Sequence, residues 1–262
     1  MLIKDRVAVI TGIGPGMGRE IALAFAQNGA KLAIGARNIA FVDKVAAQCV
    51  AAGAEVVALR TDIADRASCE AIVKAAIDRF GGVDILVQNG HDTGDARLVG
   101  DADQARWRAA MDANLFGALS LFQACLPSMR ARGDGRVIFV NSGAANNRPP
   151  EYLASYAASK AALASLVRSI AIEHGKEGIR CNGVHLGPVD GENFRPWIAG
   201  LAEQRGISFE KCFNDYLEAE FPLRYVPTAR ECAGTVLYLA SDLARVVTGQ
   251  GISVNGGQWF AT

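Results

Sequence analysis

The chain has 262 residues, half of them hydrophobic, which is enough to bury a large core within one domain of the size that α/β proteins use. Lysine plus arginine and aspartate plus glutamate both number 27, so no net charge favours nucleic acid or an anionic membrane, and a small neutral partner is expected. The six cysteines and three histidines show no metal-ligand spacing, which predicts no metal site and reduced thiols in a cytoplasmic protein.

The first residues argue against a cleavable signal. Charges at Lys4, Asp5 and Arg6 precede a strand-like segment directly, which is not the pattern of a secretory leader. We also expect no uncharged apolar run to approach the roughly 18 residues that span a bilayer.

Short β-branched runs alternate with longer helical patterns along the chain. Apolar strands separated by helices are typical of a parallel sheet covered on both faces, so the sequence predicts one doubly wound, Rossmann-like α/β domain over 1–262. The predicted strands are 7–11, 31–36, 55–60, 83–88, 136–141, 179–186 and 252–254. The predicted helices are 17–28, 39–52, 66–80, 101–130, 151–175 and 228–241.

A glycine-rich turn, TGIGPGMGRE, follows the first strand. It places Gly12, Gly14, Gly16 and Gly18, with Met17 among them, before a helix. Glycines permit close backbone approach, and a helix N-terminus attracts phosphate. A tight strand-to-helix turn alone would use glycines too, but the position after the first strand of an alternating chain favours a dinucleotide pyrophosphate.

The second strand ends in IGARN, where such folds select between the two nicotinamide cofactors. An acid at this point holds the ribose hydroxyls of NAD, whereas an arginine suits the extra phosphate of NADP. Ala36 stands at the acid's place and Arg37 follows, which favours NADP(H) over NAD(H). After the third strand, Asp62 and Ile63 are placed to meet the adenine, although Asp62 would also serve as a helix cap.

One alanine- and serine-rich helix, ASYAASKAAL, carries Tyr156 and Lys160 four positions apart, which places them on one face. A phenol has an ordinary pKa of about 10, and lowering that pKa by about three units takes roughly 4 kcal/mol, which nearby cations can supply. The phenol then becomes a usable general acid or base. Alone, a tyrosine and lysine at this spacing would be a common surface pair.

Two further polar side chains support a functional interpretation of Tyr156 and Lys160. Ser142 follows the strand RVIFVN, at the edge where parallel sheets bind ligands, and Asn114 lies in the apolar stretch MDANLFG, where a buried amide needs a partner.

These motifs resemble the classical group of the short-chain dehydrogenase/reductases over nearly the whole chain, from TGIGPGMG to TGQGISVNGG. The resemblance implies that Tyr156 exchanges the proton and that Ser142 hydrogen-bonds the substrate oxygen. It implies that Lys160 binds the nicotinamide ribose and lowers the pKa of Tyr156, and that Asn114 holds a water linking Lys160 to solvent. Relatives are usually tetramers built through the helices of 101–130 and 151–175, so a homotetramer is expected.

The chain departs from the family pattern at several cofactor contacts. The usual Asn-Asn-Ala-Gly is Gln88, Asn89, Gly90 and His91, and His91 either faces the active-site mouth or is an ordinary loop residue. Leu186-Gly187 replaces Pro-Gly, Asp190 and Gly191 replace a cofactor-contacting threonine, and Pro15 stands where NADP-dependent relatives often have a basic residue. The residues predicted to contact the cofactor are Gly12, Gly14, Gly16, Met17, Gly18, Arg37, Asp62, Ile63, Asn89, Gly90, Tyr156, Lys160, Gly187 and Val189.

Residues 187–227 form the one long departure from the alternation, and we expect the segment 190–226 within them to cover the substrate. They are rich in aromatics, which either contact a bulky apolar or ring-bearing substrate or only pack the segment onto the body. The aromatics are Phe194, Trp197, Phe209, Phe213, Tyr216, Phe221 and Tyr225. Asn146, Asn147 and Arg148 are expected to form a polar wall opposite.

The sequence therefore predicts an NADP(H)-dependent alcohol dehydrogenase or ketone reductase. Two alternatives stay open besides use of NAD: a dinucleotide-binding regulatory protein without turnover, and a reductase of carbon–carbon double bonds. Related enoyl reductases typically space tyrosine and lysine more widely, so the interval here favours carbonyl chemistry.

Overall fold

Seven parallel strands form one sheet in the order β3-β2-β1-β4-β5-β6-β7. The computed structural model describes residues 1–147, 149–192 and 194–260. Chain order reverses between β1 and β4, which is the point where doubly wound sheets bind their ligands. The strands are β1 Val7–Thr11, β2 Lys31–Ala36, β3 Val56–Arg60, β4 Ile85–Gln88, β5 Gly135–Ser142, β6 Ile179–Leu186 and β7 Gly251–Val254.

Helices cover both faces of the sheet, as the sequence predicts. The described helices are α1 Met17–Gln27, α2 Ile39–Ala51, α3 Arg66–Phe80, α4 Gln104–Met111, α5 Gly117–Arg132, α6 Ala154–His174, α7 Phe194–Arg205, α8 Phe209–Glu220 and α9 Ala229–Ala240. One apolar cluster packs α1, α2 and α9 against the sheet, and a second packs α3, α5 and α6 against the other face. The predicted ends differ from the observed ones by a few residues.

The helix predicted over 101–130 is found as one helical stretch, Gln104–Arg132, that the sequence analysis did not expect to contain a π-helical turn. That turn, Asp112–Phe116, joins α4 to α5. Asn114 lies in this turn and is fully buried, with its amide bonded to a neighbouring loop and to α6. Single π-turns inside α-helices are frequent at functional sites.

One helical stretch, Gln104–Arg132, is long and apolar enough by composition to cross a membrane, contrary to our expectation that no run approaches that criterion. Its apolar side chains, including Leu121, Phe122 and Met129, lie in the second core cluster. Packing against the sheet therefore accounts for its hydropathy.

The segment after β6 contains two helices, α7 and α8, that the sequence analysis did not assign. They enclose a small apolar cluster of their own, around the buried Ile198, Cys212 and Phe221. The Ser208 side chain accepts a hydrogen bond from Lys211 N and caps α8. The segment is thus an ordered helical pair beside the carboxyl ends of the strands.

Candidate active site

A cleft of about 1540 Å³ opens at the carboxyl ends of β1, β2, β4, β5 and β6. That exceeds the 300–1,000 Å³ typical of a site for one small molecule, so a dinucleotide and a substrate fit together. Of the predicted site residues, all except Asn114 line this cleft.

The glycine turn divides into glycines that serve the fold and glycines that face the cleft. A Cβ on Gly12 would lie 2.1 Å from Gly90 N, and one on Gly18 would lie 2.2 Å from the Gly12 carbonyl oxygen. A Cβ on Gly14 or Gly16 would meet no protein atom within 4 Å. The first pair is required by backbone packing, while the second borders open space before the N-terminus of α1, where a pyrophosphate can approach.

The far end of the cleft has the groups expected for an adenosine. Arg37 is exposed there and, among the described residues, forms no ion pair. Asp62 accepts a hydrogen bond from Ala64 N within its own turn, whereas the cap of α3 is Asp65, so the alternative role of Asp62 as that cap is excluded. The Asn89 side chain donates to the Gly12 carbonyl oxygen at 2.7 Å and ties the two cofactor turns together.

Ser142 and Tyr156 meet at the centre of the cleft. Ser142 ends β5, and its Oγ accepts a hydrogen bond from Ala144 N at 3.2 Å. The Ser142 hydroxyl is close enough to the Tyr156 phenol, which projects from α6, to lower the pKa of that phenol. A substrate oxygen at this point would meet two hydroxyl groups at once.

Lys160 is 2% exposed and lies one turn after Tyr156 on α6. Its Nζ donates to the Val140 carbonyl oxygen at 2.9 Å and lies 5.7 Å from the centroid of the Tyr156 ring. Burial lowers the pKa of Lys160 to about 7. Among the described residues Val140 is the only hydrogen-bond partner of the Lys160 ammonium group. Further N–H donors of that group therefore remain for a ligand at the cleft.

The predicted effect of Lys160 on Tyr156 is not produced by the protein groups alone. Burial raises the pKa of Tyr156, and the nearby Ser142 hydroxyl offsets that rise only in part. The predicted lowering of this pKa concerns the site with a nicotinamide cofactor bound, so it stays a prediction. In the protein alone, desolvation of the phenolate dominates.

Asn114 supports the site from behind. Its Oδ1 accepts from Asp92 N at 2.8 Å, and its Nδ2 donates to the Asp92 carbonyl oxygen and to Ser159 Oγ, each at 2.8 Å. Ser159 Oγ in turn donates to the Tyr156 carbonyl oxygen at 2.7 Å. The side chain therefore connects the loop after β4 to the catalytic helix, and its predicted role in holding a water stays a prediction.

His91 faces the mouth of the cleft rather than an unrelated loop surface. Its ring lies 6.1 Å from that of Tyr156 in an edge-on arrangement. Burial and the nearby Lys160 charge lower its pKa, so the imidazole is favoured in its neutral form. Of the two interpretations of His91, the structure supports the one that places it at the active site.

The nicotinamide end departs from the family pattern, and the structure shows the replacement. Gly187 and Val189 line the cleft as predicted. Asp190, which stands at the usual threonine, binds Arg195 through two contacts of 2.7 Å at the start of α7. This pair anchors the covering segment at the cleft edge.

The seven aromatics of the covering segment divide between contact and packing. Phe194, Trp197 and Tyr216 line the cleft, and the Trp197 and Tyr216 rings lie 5.3 Å apart. Phe209, Phe213 and Phe221 belong to the segment's own cluster, and the Tyr225 hydroxyl bonds to Glu231. Of the polar wall, Asn147 lines the cleft, Asn146 bonds to His185, and Arg148 lies outside the described residues.

Sequence reasoning missed one side chain that lines the cleft, Trp259, and one buried histidine behind the catalytic loop, His185. His185 on β6 is 2% exposed and receives a hydrogen bond from Asn146 Nδ2 at 3.2 Å, and burial, with Lys160 and Arg168 nearby, lowers its pKa to about 4. Trp259 lines the cleft from the turn after β7. Neither stands at a spacing that predicts a role, since only the strand register and the final turn bring them here.

The chain is similar to known oxidoreductases over nearly its whole length. Residues 12–258 match a family model described as enoyl-(acyl carrier protein) reductase. The chain is 32% identical over 255 residues to a 7alpha-hydroxysteroid dehydrogenase of Escherichia coli (strain K12), covering 97% of this chain and 94% of that protein. It is 35% identical over 263 residues to an L-rhamnose 1-dehydrogenase (NAD(P)(+)) of Sphingomonas sp. (strain SKA58), covering 98% of each.

A solved structure gives the same architecture. L-Sorbose reductase from Gluconobacter frateurii, complexed with NADPH and L-sorbose, superposes with a TM-score of 0.92 at 28% identity, covering 100% of this chain and 99% of that one.

Proposed function

The chain belongs to the short-chain dehydrogenase/reductase family, and we propose that within it the protein is an NADP(H)-dependent oxidoreductase of bulky apolar or cyclic secondary alcohols and ketones. Oxidoreduction at a CH–OH group with a nicotinamide cofactor is what the relatives share. The choice of NADP(H) and of a bulky substrate rests on this chain's own residues. The single observation that carries the proposal is that Ser142, Tyr156 and the buried Lys160 line one open cleft together.

The chemistry assigned to the protein is proton transfer and orientation. When bound, the nicotinamide supplies or accepts the hydride at its C4. In the direction of reduction, the Tyr156 hydroxyl gives its proton to the substrate oxygen, which the Ser142 hydroxyl holds in place. In oxidation the same phenol takes the proton back, and Lys160 supplies a positive charge and N–H donors beneath it.

The residues present fit a dinucleotide. The open cradle at Gly14 and Gly16 would receive the pyrophosphate, and the donors of Lys160 that remain after its bond to Val140 suit ribose hydroxyls. Arg37 would bind the extra phosphate of NADP by a charge-assisted, two-point contact. Its exposure at the cleft without a competing carboxylate partner among the described residues supports this assignment.

The substrate end supports a bulky apolar or cyclic compound. The segment 190–226 brings Phe194, Trp197 and Tyr216 to the same cleft as Ser142. Aromatic walls with few polar groups are typical of sites for rings and other apolar bodies. We take this segment as the cover of the substrate.

We also propose a homotetramer that uses α5 and α6. Large apolar side chains are exposed on or beside these helices: Ile172 on α6 is 82% exposed, and Phe116, in the turn that precedes α5, is 52% exposed. Light scattering coupled to gel filtration measures the mass directly, and a monomer would refute the proposal.

A cytoplasmic location fits the thiols. All six cysteines are free and buried in the structure. Burial raises the pKa of several of them, Cys49 to about 11 for example, so they are poorly reactive structural groups.

The test is a panel of cyclic and aryl ketones, the matching alcohols, and enones, each with NADPH or NADP⁺ and with NADH or NAD⁺. The absorbance of the reduced nicotinamide reports turnover. We expect ketone and alcohol turnover that is faster with the phosphorylated cofactors. Reduction restricted to the enone double bond would support the enoyl reductase alternative, and cofactor binding without any turnover would support the regulatory one.

A further inference from the structure

The turn after β7 places Trp259 against the loop that follows Ser142. Asn255, 5% exposed, holds this turn: its Nδ2 donates to the Trp259 carbonyl oxygen at 2.9 Å and its Oδ1 accepts from Gly257 N at 3.0 Å. The Gln258 side chain, next to Trp259, donates to the Tyr216 hydroxyl at 3.2 Å. The position of Trp259 is therefore fixed both by its own turn and by helix α8.

The indole lies directly on the residue that follows the catalytic serine. A Cβ built on Gly143 would lie 1.8 Å from Cζ2 and 2.1 Å from Cη2 of Trp259, so only glycine permits this contact. A Cβ on Gly187, on the nicotinamide side of the cleft, would lie 3.2 Å from Cη2 of the same ring. The benzene half of the indole thus spans the two loops that flank the reacting position.

This placement gives the ring a direct influence on what fits beside Ser142. The indole, Ser142, Tyr156 and three aromatics of the covering segment line one cleft. A substrate whose oxygen reaches Ser142 and Tyr156 therefore has one flank next to the indole. Because Trp259 rests on backbone at Gly143, it cannot move in that direction to make room.

We propose that Trp259 is a specificity-determining residue that bounds one flank of the substrate carbonyl. It restricts that flank to a compact group. This proposal rests on the function proposed above, since it concerns the alcohol or ketone that occupies the same site. It further predicts that Trp259 and Gly143 act as a pair.

The experiment compares two ketones that share a phenyl ring and differ in the other group, acetophenone and butyrophenone. For Trp259→Ala we expect the ratio of kcat/KM for butyrophenone over acetophenone to rise at least about tenfold, since each methylene in an apolar pocket is worth 10–200-fold. Trp259→Phe should give a smaller rise. Trp107→Phe on α4, far from the cleft, is the matched control and should leave the ratio as in the wild type.

Calorimetric affinities for the same two ketones, measured with NADP⁺ present, give a readout that does not need turnover. If the wild type turns over neither ketone, the proposed function fails, but an affinity ratio that moves in Trp259→Ala still supports the role of Trp259. Equal losses for both ketones, with the ratio unchanged in rate and in affinity, would show that Trp259 serves the fold only. All three Trp variants are checked for folding by circular dichroism.

The pairing with Gly143 is tested separately. Gly143→Ala places a methyl group inside the indole and should reduce kcat/KM for both ketones. Adding Trp259→Ala should restore part of that loss, because the methyl then fills vacated space. Additive losses in the double variant would overturn the pairing.

Discussion

The Nζ of Lys160 lies 5.7 Å from the centroid of the Tyr156 ring, with both side chains at the same cleft. Burial moves their pKa values apart, since it lowers the pKa of the lysine to about 7 and raises that of the tyrosine. The lysine thus changes charge near neutral pH in the protein alone. That behaviour has consequences for stability as well as for catalysis.

Lys160→Met is expected to change how stability depends on pH. The wild-type lysine has a pKa of about 7 when folded against 10.5 ordinarily, so between those values the unfolded chain binds more protons. Burial of the charged ammonium lowers the free energy of unfolding of the wild type by about 5 kcal/mol at most. This destabilisation is present in full below pH 7 and decreases as the pH rises toward 10.5. The free energy of unfolding of the wild type should therefore rise relative to that of Lys160→Met between pH 7 and pH 10.

Urea unfolding at pH 7, 8, 9 and 10 measures this difference. Loss of the bond to Val140 shifts the variant by an amount that does not depend on pH, so the change with pH carries the result. The exposed Lys44→Met is the control and should run parallel to the wild type. A difference between wild type and Lys160→Met that stays flat over this range would contradict the buried, neutral lysine.

Tyr156→Phe should abolish turnover while cofactor affinity is retained. The change removes the one hydroxyl proposed to exchange a proton with the substrate and leaves the ring beside His91 in place. General acid–base groups contribute about 10²–10⁴-fold, and we expect a loss in kcat of about a thousandfold. Steady-state rates and fluorescence titration with NADPH give the two quantities.

The matched control is Tyr152→Phe, an exposed tyrosine in the segment before α6. It should retain wild-type kcat. Activity of Tyr156→Phe within tenfold of the wild type would remove the proton-transfer role from this residue.

The fold and most of the cleft follow from the sequence because they depend on local patterns and on one rule of topology. Apolar runs predicted the strands, and the parallel order brings their carboxyl ends to one edge. Ser142 after β5 and the glycine turn after β1 therefore meet, although 124 residues separate Gly18 from Ser142. Tyr156 and Lys160 needed only the helical repeat.

What the sequence did not predict depends on register, burial and turns. His185 lies beside the catalytic loop because it pairs with Asn141 in the sheet, and no local pattern encodes that register. Trp259 reaches Gly143 through a turn closed by Asn255. The rise in the pKa of Tyr156 comes from desolvation, which is a property of the packed cleft rather than of the Tyr–Lys spacing.

Arg37→Asp should reverse the preference between the cofactors. The change removes the group proposed to bind the extra phosphate of NADP and places a carboxylate where it would repel that phosphate and accept from ribose hydroxyls. A charge-assisted contact is worth about 1.5–3 kcal/mol, so the ratio of kcat/KM for NADPH over NADH should fall about 10- to 100-fold.

Arg245→Asp, an exposed arginine outside the cleft, controls for the change in net charge and should keep the wild-type ratio. An unchanged ratio in Arg37→Asp would show that other residues of the adenosine end select the cofactor.

Asn114→Ala should lower both stability and turnover through the position of the catalytic helix. The buried Asn114 side chain makes two hydrogen bonds to the Asp92 backbone and one to Ser159, and the variant removes all three. We expect their loss to lower the free energy of unfolding by about 2–3 kcal/mol. Because Ser159 also bonds the Tyr156 carbonyl, kcat should fall about tenfold while KM for the cofactor changes little. Ser159→Ala breaks only the link to the helix, so its loss of stability should be smaller. Chemical unfolding and steady-state kinetics on both variants measure these effects. If the free energy of unfolding of Asn114→Ala lay within 0.5 kcal/mol of the wild-type value, the amide would be solvated rather than joined to Asp92 and Ser159, and the prediction would be wrong.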